Sequence, residues 1–182
     1  MMLQITIPAT EQYDELHGEF IHTKEQTLQL EHSLVSLSKW ERKWHKPFLN
    51  TKEKTLEETI DYIKCMTLNK NVPDEVYSCL TQKNVDDINA YIEDPMTATT
   101  FSEDKNGPKS REIITAELIY YWMISLQIPV VECQKWHINS LLTLIRVCNI
   151  KSQPPKKMGK RETMSRNAAL NAARKKQLNT KG

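Results

Sequence analysis

Leu30, Leu34, Leu37, Trp40 and Trp44 follow one another at intervals of four, three, three and four residues. Only an α-helix brings such a series to one side of the chain, so this stretch has to bury a helical face, and Pro47 ends it. Other helix signals follow. Thr55-Leu56-Glu57-Glu58 is a capping box opening a helix whose apolar face holds Leu56, Ile60 and Ile63. Pro73-Asp74-Glu75 and Asn84-Val85-Asp86-Asp87 place acids at two further helix starts, the second of which closes at Asp94-Pro95. Thr97 to Ser110 is a polar connection with the turn signal Asn106-Gly107-Pro108. Ser110 is then the predicted cap of a helix from Arg111 to about Leu126. Its apolar residues (Ile113, Ile114, Leu118, Ile119, Tyr121, Trp122, Met123 and Leu126) cover most of its circumference, as in a central buried helix. Beyond Ile128-Pro129 a last body helix runs from Val131 to Asn149 with the stripe Trp136, Leu141, Leu144, Ile145 and Cys148, packed antiparallel on its predecessor across a short turn.

The expected fold is therefore mainly α, a compact helical domain with a minor N-terminal β element and a flexible basic C-terminal tail. The β element is Leu3-Gln4-Ile5-Thr6-Ile7, which alternates with period two and stops at Pro8, paired with Thr27-Leu28-Gln29-Leu30. Two such runs form a marginal sheet alone. Tyr13 to Thr23, polar and containing Gly18, carries no helix signal. The predicted organisation is an N-terminal segment over 1–27, a helical domain over 28–151 and a tail over 152–182. The predicted core comprises Leu34, Leu37, Trp40, Leu118, Trp122, Trp136, Leu141 and Ile145, with His137 on the rim and His22, His32 and His45 at the surface or rim.

A net charge of +2 hides a strong asymmetry. From residue 152 onward there are nine basic residues against the single acid Glu162, a charge of +8, which leaves −6 on the remainder. Such a division points to an anionic partner for the tail or to complementary contacts between copies. Pro154-Pro155 marks the end of the body, and the Ala-rich tail beyond it lacks the large side chains of a core. It is expected to be disordered when free and helical on binding.

The four cysteines contain no CxxC pair and sit in apolar or mixed segments, which fits buried free thiols in a reducing compartment. The N-terminus lacks the basic start and apolar run of a signal peptide. The most apolar stretch, Ile113 to Val131, is interrupted by Glu117, Gln127 and Pro129, so no membrane span is expected.

Chemistry leaves few traces. The four glycines form no phosphate loop, and no HExxH, EF-hand or GxSxG pattern occurs. His17 and His22 are five apart, while His32 and His45 lie far from any cysteine, so zinc spacing is missing. The reading is of a non-enzyme without cofactor, metal or catalytic residues. Trp44 is a candidate aromatic anchor for a partner, although its spacing also continues the Leu34–Leu37 stripe into the core. The tail residues Lys156, Lys157, Lys160, Arg161, Arg166, Arg174 and Lys175 are the other candidates for partner contact. Protein docking, nucleic-acid binding and a merely solvated tail all fit their charge; the tail has no aromatic to stack on bases.

Several runs resemble one family. They are His32-Ser33-Leu34-Val35-Ser36-Leu37-Ser38-Lys39-Trp40-Glu41 and Trp44-His45-Lys46-Pro47-Phe48-Leu49, then Ile114-Thr115-Ala116-Glu117-Leu118-Ile119-Tyr120-Tyr121-Trp122-Met123 with Lys135-Trp136-His137-Ile138-Asn139 and Leu141-Leu142-Thr143-Leu144-Ile145, and finally Ser165-Arg166-Asn167-Ala168-Ala169-Leu170-Asn171-Ala172-Ala173-Arg174. Together they are similar to small proteins encoded among the tail morphogenesis genes of tailed bacteriophages. The resemblance implies a tail assembly chaperone of the host cytoplasm, whose partners are the tape-measure protein and the tail-tube protein. The alternatives are a structural protein of the tail or head–tail connector retained in the virion, and a nucleic-acid-binding regulator using the basic tail.

Overall fold

The computed structural model describes residues 2–14, 19–51, 53–101, 112–152 and 159–179; for residues 12–14, 19–22, 160 and 162 only the backbone is described. The chain divides into two compact units, Met1–Asn149 and Ile150–Gly182. The β elements therefore belong to the same unit as the body helices.

The chain begins with four strands, β1 (Leu3–Ile7), β2 (Thr10–Asp14), β3 (Glu19–Thr23) and β4 (Gln26–Leu30). β1 pairs antiparallel with β4, with Leu3 opposite Leu30 and Ile5 opposite Leu28, and β2 pairs antiparallel with β3, with Thr10 opposite Thr23. The β1–β4 pair expected from the alternation is present: Ile5, Ile7, Leu28 and Leu30 point into the core, and Thr6 and Thr27 share the other face. The β2–β3 pair occupies much of the segment that carried no clear signal, and Gly18 lies outside the described residues.

The isolated pair would be marginal, and the body supplements it. Glu31 N–H donates to Met66 C=O at 2.9 Å and Leu68 N–H to Gln29 C=O at 2.8 Å, extending the ladder on the β4 side. The Asn69 amide brackets β4, accepting Gln29 N–H at 2.7 Å and donating to Thr27 C=O at 3.2 Å.

α1 (Leu34–Trp44) starts four residues later than its stripe suggests, because Leu30 is held in β4. Ser36 closes its first turn, accepting Ser33 N–H at 3.0 Å, and it ends at His45 in the left-handed conformation (φ 52°), two residues before Pro47. α2 (Leu56–Met66) has the predicted capping box: Thr55 Oγ1 accepts Glu58 N–H at 3.2 Å and Glu58 Oε2 accepts Thr55 N–H at 2.9 Å. Its buried face is Tyr62, Ile63 and Met66, whereas Leu56 is exposed. α3 (Asp74–Ser78) follows Pro73 as expected. α4 (Gln82–Glu93) is capped by Thr81, with Asn84 on its third position instead of at its start, and Asp94 closes it. The Asn84 amide also donates to Thr6 C=O at 3.2 Å, tying α4 to β1.

The next helix is shorter than predicted. α5 (Ala116–Ser125) is capped by Thr115, whose hydroxyl accepts Leu118 N–H at 3.3 Å; Ser110 lies outside the described residues. α5 packs on α1. The single helix expected from Val131 to Asn149 is instead a turn, α6 (Val130–Cys133), and α7 (Ile138–Ser152). The break has a tertiary cause: Ser33 bridges to His137, and Ile138 N–H donates to His32 C=O at 2.9 Å, so the intervening backbone leaves the helix to pair with the end of the β4–α1 connection.

Leu34, Leu37, Trp40, Leu141 and Ile145 are buried as expected, Leu118 and Trp122 are half-buried, and Trp136 is 46% exposed. The core also takes in Ile119 and Met123 of the predicted apolar helix and, beyond the predicted stripes, Met66 and Ile138.

The second unit consists mainly of α8 (Lys160–Leu178). Nineteen residues of the basic segment are helical, the state expected of it on binding. No glycine or proline interrupts them, and alanines and other strong helix formers dominate. Among the described side chains of α8, all are exposed.

Candidate functional site

The polar groups of the body first have to be sorted into those that hold the fold and those that face outward. At the centre lies a cluster of His32, Tyr62, Tyr91 and His137. His32 is 1% exposed and His137 5%, so both predicted surface or rim positions are corrected to buried ones. The Tyr62 hydroxyl is 2.6 Å from His32 Nδ1, the His32 and His137 rings are 4.9 Å apart edge to face, and His137 Nε2 is 2.9 Å from Tyr91 C=O. Burial, followed by repulsion from His137, lowers the His32 imidazole to about 3. Burial also lowers His137, against the pull of the Tyr91 carbonyl, and raises the Tyr62 phenol. Both imidazoles are accordingly neutral at pH 7. The cluster joins the β4–α1 connection, α2, α4 and the residue preceding α7 and is closed to solvent, the arrangement of a scaffold network.

A second set fixes α1 to its neighbours. Trp40, fully buried, donates its indole N–H to Glu58 C=O at 2.8 Å. Lys46 pairs with the Glu58 carboxylate, holding it below its ordinary range. Trp44 is half-buried, packs against the core, lies 6.2 Å from the Trp40 ring and donates its indole N–H to Asp61 Oδ2 at 2.9 Å, while Lys43 pairs with the other Asp61 oxygen. Trp44 therefore has an internal partner for its polar edge and for much of its ring. The Glu41 carboxylate accepts Phe48 N–H at 2.8 Å and Ala116 N–H at 2.7 Å, and burial raises its pKa despite both bonds.

The depressions on the body offer little chemistry. A groove of about 500 Å³ between the end of α1 and the start of α5 mixes Glu41, Arg42, His45, Lys46 and Glu117 with Ile113. A smaller apolar cavity of about 200 Å³ lies between α2 and α4, where the Lys54 ammonium sits 4.1 Å from the Phe48 ring centroid and its pKa is lowered by burial. Among the described residues no group of three or more His, Cys, Asp and Glu could hold a metal ion, and no helix is long and apolar enough to cross a membrane. Cys79 and Cys133 are buried and Cys65 and Cys148 half-buried.

The body also exposes large apolar side chains, Leu56 on α2 at 77% and a series on α5 and α6 among them. Tyr121 is 63% exposed and Ile124 67%, on one face of α5; Val131 in α6 is 70% exposed, and Trp136 follows it in the break before α7. This is the main correction to the expected central helix: α5 is apolar nearly all round, but only Ala116, Ile119 and Met123 are buried. The sequence did hold the signal, since a helix with more apolar residues than one core face can absorb must show some of them.

Of the predicted tail contacts, Lys156 and Lys157 lie outside the described residues. Lys160 opens α8, and Arg161, Arg166, Arg174 and Lys175 stand exposed along it. These residues are thus on one helix, in a different unit from Trp44. Comparison with protein-family models, curated proteins and solved structures finds no match for this chain.

Proposed function

We propose that this protein is a non-enzymatic assembly chaperone for the tail of a tailed bacteriophage, acting in the host cytoplasm on the tape-measure protein, the tail-tube protein or both. The observation that carries the reading is the exposed apolar set Tyr121, Ile124, Val131 and Trp136 on a body whose buried polar side chains, among the described residues, all have partners. Exposed apolar groups concentrated on successive elements mark a docking surface. A client with long apolar helices needs such a surface to stay soluble before assembly. The resemblance of the α1, α5–α7 and α8 sequences to tail morphogenesis proteins supplies the setting, and the α8 cations supply a second, electrostatic contact.

The test combines two measurements. In cells making all tail proteins, the chain should capture the tape-measure or tube protein, and Tyr121→Glu with Ile124→Glu should lose that capture while near-ultraviolet circular dichroism stays unchanged. Mass spectrometry of purified infectious particles should find the chain missing. Its presence there at fixed stoichiometry would make it a structural component instead.

A further inference from the structure

The α8 sequence carries Lys160, Arg161, Arg166, Arg174, Lys175 and Lys176 against one acid, Glu162. With 3.6 residues per turn, these cations are spread round the helix instead of gathering on one face. Met164, Leu170 and Leu178 are exposed, lie six and eight residues apart along the helix, and at about 100° per residue fall within about 120° of one another, on the side that also carries Asn167 and Asn171. The six cations outnumber these three apolar side chains, so the helix presents charge more than apolar surface. It suits a partner that brings negative charge to both of its sides.

The major groove of duplex DNA does so: it admits an α-helix and is walled by phosphates. Asn167, Asn171 and Arg174 stand at i, i+4 and i+7 and share one face of α8. Their amide and guanidinium groups are the side-chain types that pair in bidentate fashion with the major-groove edges of adenine and guanine. At about 100° per residue, Arg161 and Lys175 fall on one flank of that face and Arg166 on the other, where the two phosphate walls would be. Ala168, Ala169, Ala172 and Ala173 keep the helix slim between the cations. Other nucleic acids fit less well. Single strands call for stacking aromatics, and α8 has none. Duplex RNA has a deep, narrow major groove that side chains do not read. The charge of −6 on residues 1–151 repels DNA and directs the contact to the basic segment beyond them.

We propose that α8 is a duplex-DNA-binding helix that lies in the major groove with Asn167, Asn171 and Arg174 toward the base edges. The inference rests on the geometry and charge of α8 and stands apart from the assembly reading. Fluorescence anisotropy of the full chain with a short labelled duplex tests it. Engagement of three phosphates, by Arg161, Arg166 and Lys175, predicts an affinity about 40-fold weaker at 200 mM salt than at 50 mM. Arg166→Glu, Arg174→Glu and Lys175→Glu together should abolish binding at 200 mM salt, with the thermal unfolding of the body unmoved. Asn167→Ala with Asn171→Ala should keep the salt dependence and lose discrimination between duplex sequences. A duplex whose major groove is filled by glucosylated hydroxymethylcytosine should bind at least about tenfold more weakly, the scale of a lost bidentate contact. Equal affinity for that filled duplex overturns the groove assignment. Failure to bind any duplex at 50 mM salt, with binding to polyglutamate retained, overturns the proposal in favour of an acidic protein partner.

Discussion

Glu41 and Ala116 are seventy-five residues apart in the chain, and the Glu41 carboxylate accepts the Ala116 backbone N–H at 2.7 Å. One side chain on α1 thereby serves the first residue of α5, while its other oxygen accepts Phe48 N–H just beyond the α1 terminus. A carboxylate can satisfy two donors that approach from different directions; a carboxamide has only one acceptor oxygen and turns a donor toward the second N–H. Glu41→Gln should therefore cost about 2–3 kcal/mol of stability, in the range of a lost hydrogen bond to a charged group. Urea denaturation measures it, and a loss too small to resolve would mean that α5 is held by packing alone.

The buried histidines give the stability a defined pH dependence. His32 is lowered to about 3 in the folded protein and His137 is lowered as well, so protons bind the unfolded chain first. Stability is then complete above the unfolded value near 6.5 and declines as the pH falls from there toward about 3, by at most about 1.4 kcal/mol per pH unit for His32. Denaturation midpoints at pH 7.5 and pH 5 should differ accordingly, and His32→Gln should shrink the difference. An unchanged difference in the variant would assign the acid sensitivity to other groups.

Two tryptophans placed alike by sequence spacing should respond very differently to removal. Trp40 is fully buried with its indole N–H bonded to Glu58 C=O, and Trp40→Ala should cost about 3–5 kcal/mol. Trp136 is half out of the body, and Trp136→Ala should cost about 1 kcal/mol or less. Similar losses at the two positions, measured by thermal unfolding, would be incompatible with an exposed Trp136.

The helicity of α8 comes from its own residues, since its described side chains are exposed. Ala169→Gly and Ala173→Gly should each weaken the helix by about 1 kcal/mol, and far-ultraviolet circular dichroism should register the loss of helix. The near-ultraviolet signal of the body tryptophans should not change. A coupled change in both signals would show that α8 contributes to the body.

Local rules in the sequence determined a good deal. The stripe ending at Trp44 forms α1, the Thr55–Glu58 capping box forms α2, and the alternation of Leu3–Ile7 makes β1 pair with β4. These elements could be read because capping, proline breaks and hydrophobic period act within a few residues. The charge asymmetry likewise marked the basic segment, and its alanines and absence of internal glycine or proline underlie the helix found there.

Tertiary pairing decided the rest. Residue spacing made Trp136 a stripe residue and His137 a rim residue, but the bridge from Ser33 to His137 breaks the helix at that point and turns the imidazole inward toward His32 and Tyr91. Leu30 fits the α1 period and is nevertheless a strand residue, because Leu3 pairs with it from across the sheet. The exposed Tyr121 and Ile124 depend on how much of α5 its neighbours can cover, a property of packing that no spacing within α5 contains. Periodicity fixes which residues share a face; only the contacts between distant segments determine which face is buried.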